Sequence, residues 1–196
     1  MNASIRGPFV PVWSDACWSD GYLDSVNEQT KLVGMTYNCK KDIDIPPHVS
    51  SMIWATDRIG LEILLQAGLK TCFKDKVEAI DLEIFASTRI QDAGYQVDAL
   101  MTAFHTDLGY QADCHHDDVN WEGGYFGMNL HPYDTMFLKA NRGVAENVLT
   151  MFTDWFNKME YDSHEFCGTR KKIGSEVGTV GERLAKERVQ GDTASS

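Results

Sequence analysis

A chain of 196 residues, 43% hydrophobic and 24% charged, has the length of one domain and enough apolar residues to bury a core. Its net charge of −11 argues against a phosphate-backbone binder, because affinity for nucleic acid rests on clustered Lys and Arg. No run of about 18 apolar residues occurs, so no membrane span is expected in the chain.

The charge is uneven. Between Asp75 and Asp134 twelve Asp and Glu stand against Lys76 and Arg89, a window of net −10. Such a middle repels nucleic acid, gathers a divalent cation or keeps a surface soluble, and solubility is the default reading. The five cysteines (Cys17, Cys39, Cys72, Cys114, Cys167) are odd in number and form no CxxC pair, which removes the signal for a zinc ribbon or a redox dithiol. Buried free thiols are the expected state; the alternative is one or two disulfides of a secretory compartment.

Residues 1–11 read as loop, with Gly7-Pro8 setting a turn and Arg6 able to grip phosphate or carboxylate. They lack a basic region ahead of an apolar core, so no signal peptide is expected. A domain rarely begins on such a loop, and the chain is expected to be the later part of something longer. Residues 15–26 predict a helix, with Ser14 or Asp15 as cap and Trp18, Tyr22 and Val26 along one face. A strand is predicted over 31–38, from Leu32, Val33, Met35 and Tyr37.

Residues 48–68 are the organising stretch. After Pro46-Pro47 the segment 48–55 alternates like a strand. Ile59, Ile63 and the pair Leu61 and Leu65 then recur at helical spacing over 57–67, with Thr56 or Asp57 as N-cap and Gly68 closing the run. A strand feeding directly into an amphipathic helix is half of an α/β unit, and ligands in open α/β folds sit at strand mouths. His48, Ser50 and Ser51 are the polar residues there. A helix follows over 76–93 with Val77, Ile80, Ile84, Ser87 and Ile90 inward and Gly94 just past its end. A strand is predicted over 96–102, then about 25 residues (105–129) without period, a length that is usually functional or mobile. A strand over 133–139 and a helix over 144–158, striped by Val148, Met151, Phe152, Trp155 and Phe156, complete the fold. Beyond Gly168 few large apolar residues remain, and a disordered tail is expected, with at most a short helix near 182–189. The reading is an α/β domain over 1–167, a mixed sheet flanked by helices, and a flexible tail over 168–196.

The densest polar run, 114–118, puts His115, His116 and Asp117 forward as metal ligands. Their adjacency is poor geometry for one ion, and an exposed acidic loop is the plain alternative. Glu83 stands beside the apolar stripe of its helix, where a partly buried carboxylate can act as a general base; a solvent-facing charge is the alternative. No GxSxG, P-loop or GxGxxG occurs, so serine hydrolase, NTPase and simple dinucleotide-binding readings have no support.

NASIRGPF at 2–9, CWSD at 17–20, KLVGMTYNC at 31–39, HVSSMIWATDRIGLEILL at 48–65, AGYQVDALM at 93–101 after the Glu83 helix, and LHPYDTMFLK at 130–139 follow one another in an order and spacing that resembles a group of glycosyltransferases. The resemblance covers roughly residues 2–140, each piece being weak and the series more specific. Ser50 stands where that group usually has Gln, Ser19 where it has Thr, and Asp134 where it has Glu. The Asp-x-Asp metal motif is absent, with Asn2 and Ser4 in its place.

The resemblance implies the C-terminal portion of a GT-A-type fold that moves a sugar from a nucleotide-sugar donor to a glycan or other hydroxyl acceptor, with the nucleotide-binding half expected upstream of residue 1. It implies Glu83, or Asp20, as catalytic base and Arg6 at the leaving diphosphate. Asn2, Ser4, His48, Ser51 and His131 would bind substrate, a divalent cation (Mn or Mg) is a candidate cofactor, and a longer form would be Golgi or membrane-associated. Two rivals stand beside it: a non-catalytic carbohydrate- or partner-binding domain, and a metal-dependent hydrolase using His115, His116 and Asp117.

Overall fold

The computed structural model describes residues 1–11, 13–14, 17–39, 45–106, 109–113, 118–159 and 167. Its elements run β1 (Ile5–Arg6), α1 (Asp20–Leu23), β2 (Thr30–Gly34), β3 (Tyr37–Asn38), β4 (His48–Val49), β5 (Trp54–Ala55), α2 (Arg58–Leu64) continuing into a π-helical turn (Leu65–Leu69), α3 (Lys76–Asp92), β6 (Gln96–Ala99), α4 (Thr102–Thr106), α5 (Tyr110–Asp113), α6 (Pro132–Thr135), β7 (Leu138–Lys139) and α7 (Glu146–Lys158). The class is mixed α/β, built from small sheets: β5–β2–β6, with β2 parallel to β6 and antiparallel to β5, and the antiparallel pairs β1–β7 and β3–β4.

β2 is buried along its whole length, and its alternation divides the interior in two. Leu32 faces Leu64, Ala86 and Ile90 of α2 and α3. Val33 and Met35 face Tyr22, Met52 and Phe137 on the other side. The second core is fastened by a long-range bond, the Tyr22 hydroxyl donating to the Thr135 carbonyl at 2.6 Å, and burial pushes that phenol's pKa up.

α2 starts at Asp57, whose carboxylate accepts from the Gly60 N–H at 2.9 Å. The same carboxylate takes Lys31 Nζ at 2.6 Å. That ammonium belongs to a side chain 5% exposed, and it also donates to the Asn27 carbonyl. The Gly60 and Lys31 hydrogen bonds hold the Asp57 carboxyl below its ordinary value. A depressed carboxyl stabilises the fold above its unfolded-state pKa of about 3.9 and loses that contribution as pH falls through the lower folded value. Asp57→Asn is therefore expected to unfold at lower denaturant than the parent at neutral pH. The gap should close as the pH drops below about 4; a gap independent of pH would show the charge to be irrelevant.

Several sequence expectations are corrected. The strand over 48–55 is two short strands in different sheets, because the chain turns at 51–53 between them. The strand over 133–139 keeps only Leu138–Lys139. Pro132 occupies the first helical position of α6, His131 caps it, and Met136 ends it in the left-handed region at φ 60°. The strand over 96–102 stops at Ala99 and turns into α4. Of the helix expected over 15–26, the described residues form α1, whose N-cap Ser19 makes no side-chain cap bond; residues 15 and 16 lie outside the described residues.

The predicted inner face of α3 is buried only at Ser87 and Ile90. Val77 and Ile80 are 64% and 40% exposed. A 17-residue helix is about 25 Å long, whereas strands of four or five residues span about 16 Å, so its first half outruns the sheet. On α7, Leu149 is buried while Met151 and Trp155 stay exposed; Phe152 and Phe156 pack on Phe9.

The thiols are not all free. Cys17 and Cys167 form a disulfide across 150 residues, Cys39 is disulfide-bonded as well, and Cys72 is free and exposed. The predicted metal ligands His115, His116 and Asp117, and the tail over 168–196 with its helix at 182–189, lie outside the described residues.

Candidate functional site

The turn that splits the expected strand releases backbone groups from the ladder, and buried or half-buried groups of this kind need partners. Side chains supply them. Glu83 Oε1 accepts the Ser51 N–H at 2.9 Å, and one helical turn on, Ser87 Oγ accepts the Val49 N–H at 2.8 Å. Alternate residues of an extended chain and residues four apart on a helix repeat at nearly the same distance, about 6–7 Å, so α3 reads the segment 49–51 like a second strand. From the other side the Asn2 N–H donates to the Met52 carbonyl at 2.9 Å, and its side-chain amide approaches the Ser51 carbonyl at 3.4 Å. Asn2 Oδ1 accepts from both the Ser4 N–H and the Ser4 hydroxyl, at 3.0 and 2.6 Å.

Asn2, Ser4, Ser51 and Glu83 therefore meet, although 81 positions separate the first from the last. Glu83 Oε2 makes no hydrogen bond among the described residues. Arg6 is exposed on β1, opposite Leu138, one rung from the Ile5–Lys139 pair. His48 is 9% exposed, its Nδ1 at 2.9 Å from the Pro46 carbonyl, and so it faces the protein rather than a pocket. Asp20 lies in the first turn of α1, and no described contact joins it to Glu83. His131 is exposed; its Nδ1 accepts from the Tyr133 N–H at 3.1 Å, which leaves Nε2 as the donor of the neutral ring.

Behind the turn runs a polar network that sequence reasoning did not foresee. Ser50 Oγ accepts from the Asn38 amide at 2.9 Å and shares a 3.0 Å bond with the Thr36 hydroxyl; Asn120 reaches the same hydroxyl at 3.2 Å. Asn120 also donates to Asp118, and Asp118 pairs with Arg142 at 2.7 Å. The Arg142 guanidinium lies 4.2 Å from the centre of the Trp121 ring, a stacked cation. Ser50 is 1% exposed, so this one of the three departures from the resembled group is a packing element.

Lys139 joins the two groups. Its pKa is lowered by burial and by Arg142, against the opposing pull of Asp118 and Glu83. Nothing in its two-residue strand marked it, since a lysine on β7 reads as a solvent charge until β1, Asp118 and Glu83 are brought around it.

Among the described residues, no group of three His, Cys, Asp or Glu is placed to hold a metal ion, and no helix is long and apolar enough to cross a membrane. Compared with family models, curated proteins and solved structures, the chain finds no match.

Proposed function

We propose that the chain is a sugar-transferring domain of the GT-A type, using a nucleotide-sugar donor and a hydroxyl acceptor. The observation that supports this reading is the meeting of Glu83, Ser51 and Asn2 at a strand mouth, with one carboxylate oxygen anchored and the other unengaged. Anchoring fixes where the carboxylate points, which is what positional catalysis requires. Glu83 Oε2 takes the acceptor hydroxyl proton while that oxygen forms the new bond to the anomeric carbon. The bond from that carbon to the diphosphate breaks, and its electron pair leaves with the phosphate oxygen. Positive charge for the leaving group is assigned to Arg6, which pairs with Leu138 on β1 and so projects from the ribbon face opposite the one that carries Lys139.

A second reading, a carbohydrate- or partner-binding domain without turnover, is favoured by one observation. Asn2 and Ser4 are spent on bracing their own loop and the Ser51 turn. Incubation of the full-length protein with a panel of nucleotide-sugars and glycan acceptors separates the two by mass spectrometry. Release of nucleoside diphosphate that depends on Glu83 supports the transferase. Glycan binding with no diphosphate released from any donor supports the binding domain.

A further inference from the structure

A cavity of about 170 Å³ lies between the 119–121 turn, the α6 cap, β7 and α7. Its walls are largely aliphatic and aromatic: Leu138, Val144, Val148, Leu149 and Phe152 face it. Lys139 lines it too, together with Trp121, Asn120 and Asn129. Volumes near this size, when apolar, accept a benzene-sized ring.

The cation is the unusual part. Buried or half-buried ammonium groups are ordinarily paired. The described lysine whose side chain is most enclosed, Lys31, follows that rule, with Asp57 at 2.6 Å and the Asn27 carbonyl at 2.7 Å. Lys139 is half-buried, and its ammonium makes no hydrogen bond or ion pair among the described residues. Of the two carboxylates that act on it, Asp118 is already engaged by Arg142 at 2.7 Å and by Asn120 at 2.8 Å. Glu83 is held to the Ser51 N–H by one oxygen. Lys139 thus stands at the wall of a ring-sized, partly open pocket.

We infer that this cavity is a binding site for a ring-sized apolar group carrying an anionic head, a carboxylate or a phosphate, with the head on Lys139 and the ring against Val148, Leu149 and Phe152. The inference does not depend on sugar transfer. The cavity is not lined by Glu83, Ser51 or Asn2, although His131 lines it, and the test reads binding alone.

The probes are benzoate and phenyl phosphate, with benzyl alcohol as the neutral isostere and inorganic phosphate as the head without the ring. Binding to the full chain is followed by protein-detected NMR titration at low salt. Benzoate or phenyl phosphate is expected to bind about tenfold or more tightly than benzyl alcohol, because a hydrogen bond to a charged group exceeds one between neutral groups. Which of the two heads is preferred decides between carboxylate and phosphate. Lys139→Met is expected to erase the preference while benzyl alcohol still binds. Val148→Trp, which fills the space, is expected to abolish binding of every ringed probe. Amide spectra of both variants report whether the fold is kept, and Lys139→Gln substitutes if Lys139→Met is misfolded. Equal affinity for charged and neutral probes would overturn the inference. So would a preference that survives loss of Lys139, inorganic phosphate binding as well as phenyl phosphate, or no ringed probe binding at millimolar concentration.

Discussion

Glu83→Gln is expected to lower sugar transfer by about two orders of magnitude, the usual contribution of a positioned general base, with the melting temperature unchanged. Glutamine keeps the length of the side chain and an oxygen able to accept the Ser51 N–H, which Glu83 now holds at 2.9 Å. What it loses is basicity at the second oxygen. The substitution therefore separates two roles that alanine would confound. A residue that only props the turn should tolerate it with full activity. Glu83→Ala should instead cost stability as well, since the half-buried Ser51 N–H would be left without its acceptor. Full activity in Glu83→Gln would remove the transfer mechanism while leaving the turn architecture intact.

Gly60→Ala is expected to destabilise the fold by about 3 kcal/mol, at the upper end of what overpacking costs. The sign is the informative part. Alanine in a helix interior is ordinarily favoured over glycine by about 1 kcal/mol. Here the added methyl would run into the Lys31 carbonyl and the Thr56 hydroxyl, which are themselves hydrogen-bonded to each other at 2.6 Å. Neither obstacle is the loose end of a side chain. α2 would have to lift from β2, weakening the contact that holds Asp57 on Lys31. A chain of this size loses about 2–4 °C for each kcal/mol, so a drop of about 10 °C is expected in a thermal melt. A melt raised by the substitution would mean that α2 is not seated on β2 as described.

Local signals were legible where an element is long enough to show its own period and its own stop. α3 was expected over 76–93 and runs over Lys76–Asp92, with Gly94 at φ 87° just past its end; Asp57 was one of two named caps and is the one used. What stayed hidden has a common cause. Strands of two residues carry no alternation, so the break at 51–53 could not be seen, and a one-turn helix at Pro132–Thr135 resembles a strand in composition. The resemblance grouped Asn2, Arg6, His48 and Glu83; the structure links Asn2 to Glu83 through Ser51, while Arg6 pairs with Leu138 and His48 turns its Nδ1 to the Pro46 carbonyl. The Asp118–Arg142–Trp121 stack and Lys139 left no trace, because each is an ordinary surface residue until tertiary contacts surround it. Cys17 and Cys167 could not have been paired from spacing either.

That disulfide also sets an order of events during synthesis. The ribosome releases Cys17 first and Cys39 shortly after, whereas the native partner of Cys17 follows 150 residues behind it. At usual elongation rates that interval is on the order of ten seconds or more. Throughout it Cys17 has a nearby thiol to pair with wrongly, and the correct bond closes only after nearly the whole domain has emerged. Nascent-chain maturation should therefore lean on thiol exchange rather than on first-come oxidation. A host whose oxidising compartment lacks a disulfide isomerase should accumulate the mispaired form.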